Sequence, residues 1–152
     1  MKRILLMEGH TIEALPVLES LKKKGYHLTV LCDTKLSYGY KSKYPNIKLM
    51  KVNYPYDSKE FIAYFIDLIK KFKFEIVIPL YDPSAEFLSK NKELLKEHLK
   101  FIIPDHDIFA SGFEKNKLME ICRINGFPHP KTSDIKLNSI GQTINYVGFP
   151  AL

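Results

Sequence analysis

Arginine is almost missing from this sequence: Arg3 and Arg123 are its only examples among 23 basic residues, the rest being lysine. Bidentate gripping of phosphates and base edges favours arginine, so the scarcity argues against a nucleic-acid partner despite a formal charge of +6. Cysteine is scarce as well. Cys32 and Cys122 lie far apart, with no CxxC and no histidine at ligand spacing, which speaks against a disulfide framework and a structural zinc site and suits a reducing, cytoplasmic setting. Apolar runs such as Ile4 to Met7 and Ile76 to Leu80 are far short of the roughly 20 residues of a membrane span. The opening Met1-Lys2-Arg3-Ile4 enters a strand-like run with no small-residue cleavage site, so no membrane association or secretion is expected. Glycine is short where a dinucleotide would need it. The loop from Met7 to Glu13 holds Gly9 alone, where G-x-G-x-x-G asks for three, and Glu8 would repel a pyrophosphate there. A Ser/His/Asp set, paired catalytic carboxylates, a P-loop and HExxH are all missing, so no catalytic residue and no metal ligand is assigned.

What is present is a regular alternation. The 152 residues, 45% hydrophobic and 26% charged, suffice for one core of ordinary size. Ile4 to Met7 reads as a strand buried on both faces, followed by Ala14, Val17, Leu18 and Leu21 at helical spacing, with Gly25 as the stop. His27 to Cys32 and Ile47 to Val52 read as strands. Asp57 with Glu60 predicts a capping box opening a helix through Phe61, Phe65, Leu68 and Ile69. A fourth strand is expected over Ile76 to Pro79, then Asp82 and Pro83 as the N-cap and N1 pair of one helix reaching Leu99, and a short fifth strand over Phe101 to Ile103. Continuous apolar strands separated by helices predict an α/β, Rossmann-like parallel sheet with helices on both faces. Past a seam near Ser111, Lys115 to Asn125 reads as a helix, Pro128 and Pro130 as an extended connector, and Asn138 to Tyr146 as a further helix. The expected domains are therefore 1–110 and 111–152.

A doubly wound sheet binds its ligand at the carboxyl ends of its strands, where the winding reverses. That places Glu8, Gly9, His10 and Thr11, after the first strand, opposite Tyr81, Asp82 and Ser84, after the fourth. His10 is either a polar loop residue or a donor to a carboxylate or phosphate, and Asp82 is either a helix cap or a group facing a bound amine or water. Lys115 and Lys117 stand in the first turn of a helix, where a cation opposes the dipole; a solvated lysine and a bound phosphate are the two explanations. The Lys35 to Lys51 stretch interleaves tyrosines with lysines, as a base-stacking groove would, but reads more simply as a Tyr-rich loop over the sheet's end.

The run Glu114 to Thr132, EKNKLMEICRINGFPHPKT, resembles the junction segment of the ATP-grasp superfamily, where an Asp-Lys or Asn-Lys pair opens a helix ending in Gly-hydrophobic-Pro-x-Pro. EALPVLESLKKKGYHLTVLCD and EIVIPLYDPSAEFLSKNKELL resemble the N-terminal, pre-ATP-grasp domain of enzymes similar to the carbamoyl-phosphate synthase large subunit, and Val147 to Leu152 resembles the lead into the strand that carries a nucleotide-binding lysine there. The resemblance implies a pre-ATP-grasp domain over 1–110, the beginning of an ATP-grasp domain over 111–152, and a chain cut before the main ATP-grasp fold. It implies a carboxylate-amine ligase acting through an acyl phosphate, with ATP and Mg²⁺ used by the full-length protein, none held by this fragment alone, and the fragment itself inactive. Lys117 matches the position whose ammonium contacts the nucleotide phosphates; Glu8, Gly9, His10 and Asp82 match loops that help to form the small-substrate pocket. Small-molecule carboxylate and amine substrates are the expected partners, and a homodimer is compatible with them. The alternative reading is the acceptor-binding N-terminal domain of a two-domain glycosyltransferase, which also opens with a strand, a Gly-His loop and a helix ending Lys-Lys-Gly-Tyr.

Overall fold

Alternation along β1 (Arg3–Leu6) decides how the sheet is covered. Ile4 and Leu6 point to one face, where they pack with Ala14, Leu18, Leu28, Val30 and Cys32; Leu5 and the following Met7 point to the other, where they meet Leu31, Phe61, Phe65, Val77, Phe87 and Leu88. A strand apolar on both faces has to lie inside a sheet with helices on each side. In the computed structural model, which describes residues 2–100, 103–133 and 139–148, β1 is accordingly central. It is flanked by β2 (His27–Cys32) and β4 (Ile76–Ile78), with β3 (Ile47–Met50) outside β2. The order is β3-β2-β1-β4, every pair is parallel, and the registers include Leu5 opposite Thr29 and Val77. The winding direction reverses between β1 and β4, as the sequence pattern predicts.

Helix α1 (Ala14–Lys23) covers the first face and ends at Gly25, whose φ of 79° belongs to the left-handed region open to glycine. The four-residue α2 (Tyr38–Lys41) lies in the Tyr-rich loop; Tyr40 and Tyr44 pack on the same core while Lys48 and Lys43 sit over their rings at 5.8 and 5.9 Å. Helix α3 (Lys59–Phe72) covers the second face, and Phe61, Phe65 and Phe87 form its aromatic centre, with edge-on contacts to Phe87 at 5.0 and 5.1 Å. Its N-cap is Ser58, whose hydroxyl accepts from the Phe61 N–H at 3.1 Å, in place of the expected Asp57 and Glu60 box. The expected single helix from Asp82 to Leu99 is two, α4 (Asp82–Lys90) and α5 (Lys92–Leu95), because Asn91 leaves helical geometry and its side-chain amide bonds back to the Phe87 carbonyl. Tyr81, in extended conformation, takes the N-cap position, so Asp82 and Pro83 fill the first two turn positions rather than cap and N1. Where the fifth strand is expected, Lys100 bridges Ile76 in parallel fashion, while Phe101 and Ile102 lie outside the described residues.

By contact density the chain divides into Met1–His106 and Asp107–Leu152. Helix α6 (His106–Phe113), which the periodicity did not announce, begins at the seam. The second unit continues with α7 (Lys115–Ile124) and α8 (Ile140–Val147), the latter closed by a reciprocal capping box between Ser139 and Gln142. None of these three helices has a buried residue. Asn138, expected to open the last helix, and Phe149 to Leu152 lie outside the described residues. Among the described residues, no helix is long and apolar enough to cross a membrane.

The two units should therefore respond differently to truncation. Phe61→Ala is expected to lower the unfolding free energy by about 3–5 kcal/mol in urea titrations, because its ring is fully buried. Ile121→Ala, on a helix without buried residues, should change it by no more than about 0.5 kcal/mol.

Candidate functional site

The reversal between β1 and β4 brings together the loops the sequence nominates. Met7 N–H donates to the Ile78 carbonyl at 3.0 Å and Gly9 N–H to the Leu31 carbonyl at 2.8 Å, so the chain leaving β1 first follows β4 and then crosses the end of β2. Between these bonds Glu8 adopts a φ of 56°, a left-handed conformation that costs a non-glycine residue of order 1–3 kcal/mol and persists only where its surroundings enforce it. Gly9 is required by space: a Cβ there would lie 2.4 Å from both Cys32 Sγ and Val30 Cγ2. The Gly39 N–H of α2 donates to the Gly9 carbonyl at 2.7 Å, an approach two side chains would block.

Glu8 is buried, and its carboxyl is the meeting point of the crevice. Oε1 accepts from the Tyr56 hydroxyl at 2.5 Å; Oε2 accepts from the Ser84 hydroxyl at 2.6 Å and the Leu80 N–H at 3.3 Å. Loss of water on burial pushes this carboxyl above its ordinary value, against the opposing pull of Ser84, Tyr56, Leu80 and the neighbouring His10. Burial, then the charge and hydrogen bond of Glu8, raise the Tyr56 phenol as well, keeping it a donor. The Tyr56 ring is held edge-on to Phe61 at 4.7 Å, and Lys51 Nζ lies 4.8 Å from its centre.

His10 lies at the exposed rim. Its Nδ1, itself shielded from solvent, is 3.1 Å from Asp33 Oδ2, an ion-pair distance without hydrogen-bond alignment; the His10 side chain is 38% exposed and that of Asp33 44%. Asp33 is the rim residue the sequence reading missed; its place immediately after β2, beside Cys32, was the available signal. Asp82 is exposed at the start of α4. Cys32, next to Gly9, is buried, and desolvation pushes its thiol up to about 11, so it packs rather than reacts.

In the second unit, Lys117 occupies the first turn of α7. Its ammonium is exposed and paired with Glu114 Oε1 at 2.8 Å, Glu114 being the N-cap residue. A cavity of about 170 Å³ opens on another side of α7, lined by Asn116, Met119, Glu120, Arg123, His129, Thr132 and Tyr146, with Lys117 outside it. Arg123 is held in bidentate fashion by Glu120 at 2.6 and 2.8 Å. Among the described residues, no group of three His, Cys, Asp or Glu side chains could hold a metal ion.

No protein-family profile and no curated protein matches the chain by sequence. Solved structures share its fold. A biotin carboxylase domain of a single-chain bacterial carboxylase aligns with a TM-score of 0.69 at 14% identity, over 95% of this chain and 34% of that one. The L-amino acid ligase from Bacillus licheniformis aligns at 0.67 and 16% identity, over 91% and 34%. N5-carboxyaminoimidazole ribonucleotide synthetase from Thermotoga maritima aligns at 0.60 and 20% identity, over 99% and 37%. The chain thus spans about a third of the length of these structures, corresponding to their N-terminal region, and shares the fold that the quoted segments imply.

The position of the Glu8 carboxyl has a consequence for stability against pH. Its folded value lies above the 4.5 of the unfolded chain, so between those two values the folded chain keeps a proton that the unfolded chain has released. This contribution is fully present below pH 4.5 and is lost as pH rises through the folded value. The stability of the wild type relative to Glu8→Gln, from denaturant titrations across this range, should accordingly fall as pH rises; a constant difference would contradict the shift.

Proposed function

We propose that this chain is the N-terminal part of an ATP-dependent carboxylate-amine ligase of the carbamoyl-phosphate synthase large subunit kind. The observation that carries the reading is the extent of the shared fold. One parallel sheet with a reversal between β1 and β4, followed by the helical segment from α6 to α8, aligns over nine-tenths or more of this chain with a biotin carboxylase domain, an amino acid ligase and a synthetase. The Lys-bearing start of α7 and the Gly-Phe-Pro-His-Pro after it supply the second support.

In such a reaction ATP activates a carboxylate as its acyl phosphate, and an amine displaces the phosphate to form the new C–N bond. This chain's share is positioning. Lys117 supplies one ammonium to the nucleotide phosphates, and the exchange is easy because its present partner, Glu114, forms an exposed pair worth about 0–1 kcal/mol. Charge-assisted contact with phosphate favours the bound state and counters the misplacement of a cation in the first helical turn. At the crevice, Gly9 lets a ligand approach backbone, while the half-buried His10 and the exposed Asp82 offer polar groups from facing loops. The described residues hold no carboxylate set suited to Mg²⁺, so no step is assigned to the metal in this chain.

In the polypeptide extended through its downstream coding sequence, Lys117→Ala should weaken ATP binding by about 1.5–3 kcal/mol in calorimetric titrations; unchanged affinity would remove Lys117 from the site. ATP turnover by that polypeptide, screened against pools of amino acids, identifies the carboxylate and amine. His10→Ala and Asp82→Ala should then raise KM for the small substrate with little change in thermal midpoint. Failure to bind ATP, together with binding of a sugar acceptor, would favour the glycosyltransferase reading.

A further inference from the structure

A carboxylate that receives a ligand must offer it an oxygen, and both oxygens of Glu8 are taken. Oε1 holds the Tyr56 hydroxyl, Oε2 holds the Ser84 hydroxyl and the Leu80 N–H, and the whole residue is 5% exposed. These donors arrive from separate stretches: Tyr56 between β3 and α3, Leu80 after β4, and Ser84 in the first turn of α4. Two of the three flank Asp82, while Glu8 itself is two residues from His10. The Ser84 hydroxyl has one hydrogen and two acceptors in reach, Glu8 Oε2 at 2.6 Å and the Tyr81 carbonyl at 3.0 Å. The carboxyl oxygen is the nearer of the two and a stronger acceptor than a peptide carbonyl, so it draws that hydrogen.

The geometry points to Glu8 as a positioning residue, a buried carboxyl that fixes the loops bearing His10 and Asp82 by accepting from Tyr56, Ser84 and the Leu80 amide, and leaves contact with the ligand to those loops. What the crevice binds rests on the ligase reading; the clasp itself is made by contacts within the chain. The sheet beneath does not depend on it, because β1 is joined to both neighbours by its own ladders and to β4 again through Met7. Removing a donor to Glu8 therefore loosens a loop before it loosens the sheet.

Amide hydrogen exchange and backbone NMR of the ligand-free protein test this. Tyr56→Phe and Ser84→Ala each remove one hydroxyl from the clasp. Each should speed exchange of the Leu80 amide by roughly tenfold or more and move the His10 and Asp82 signals, while the Leu5 and Val30 amides stay within about twofold of their original rates. Glu8→Gln, which keeps one acceptor oxygen, should perturb Leu80 less than Glu8→Ala; if Glu8→Ala does not fold, the two hydroxyl variants decide. The proposal is overturned if His10 and Asp82 stay in place in both hydroxyl variants. It is equally overturned if Leu80 quickens only in step with Leu5 and Val30, which would mark a general loss of stability. Since neither nucleotide nor substrate enters the measurement, failure of the longer polypeptide to bind ATP would sink the ligase reading and leave this result standing, and the converse holds as well.

Discussion

A carboxyl group withdrawn from water must be either neutralised or surrounded by donors, and the polar edge of this sheet is organised around that requirement at Glu8. The Born cost of such burial amounts to several kcal/mol even after relaxation, and a left-handed backbone adds to it. Three donors from distant parts of the chain answer the first cost, and the bonds on either side, Met7 to Ile78 and Gly9 to Leu31, enforce the second. The consequence is structural economy: the loops after β1, β3 and β4 cannot be arranged independently. A glycine at position 8 would satisfy the backbone and lose the clasp; the side chain is what carries the constraint from one loop to the next.

The sheet was largely legible from local pattern because each strand announces itself. His27 to Cys32 matches β2 end for end, and the double-sided apolar character of Ile4 to Met7 already implies a central parallel strand. Gly25 stops α1 for a reason visible in the residue itself. Helix starts were less legible. Asp57 and Ser58 are both good caps, and which one is used depends on where α3 must begin for Phe61 and Phe65 to reach the core, a tertiary fact. Tyr81 displaces Asp82 from the cap position for a related reason: the turn is placed so that Ser84 meets Glu8.

The neighbourhood of the two loops was legible, the contacts within it less so. Topology alone puts the loops after β1 and β4 side by side, and the Leu80 and Ser84 bonds to Glu8 bear out their proximity. The role of Glu8 was hidden because its partners Tyr56 and Ser84 lie 48 and 76 residues away, and no periodicity encodes such a separation. Asp33 was hidden for a different reason. A lone aspartate after a strand reads as loop polarity until the structure sets it against His10.

These contrasts separate two kinds of polar group. Glu8, Tyr56 and Ser84 are withdrawn from solvent and bound to one another, so any ligand competing for them would have to replace bonds made at low dielectric, where an unmade partner is expensive. Glu114 and Lys117 are exposed and paired on the surface, where breaking the pair costs little because water compensates. The division follows from desolvation alone: an exposed group changes partner at little cost, whereas a change at position 8 disturbs bonds to Tyr56, Leu80 and Ser84 at once.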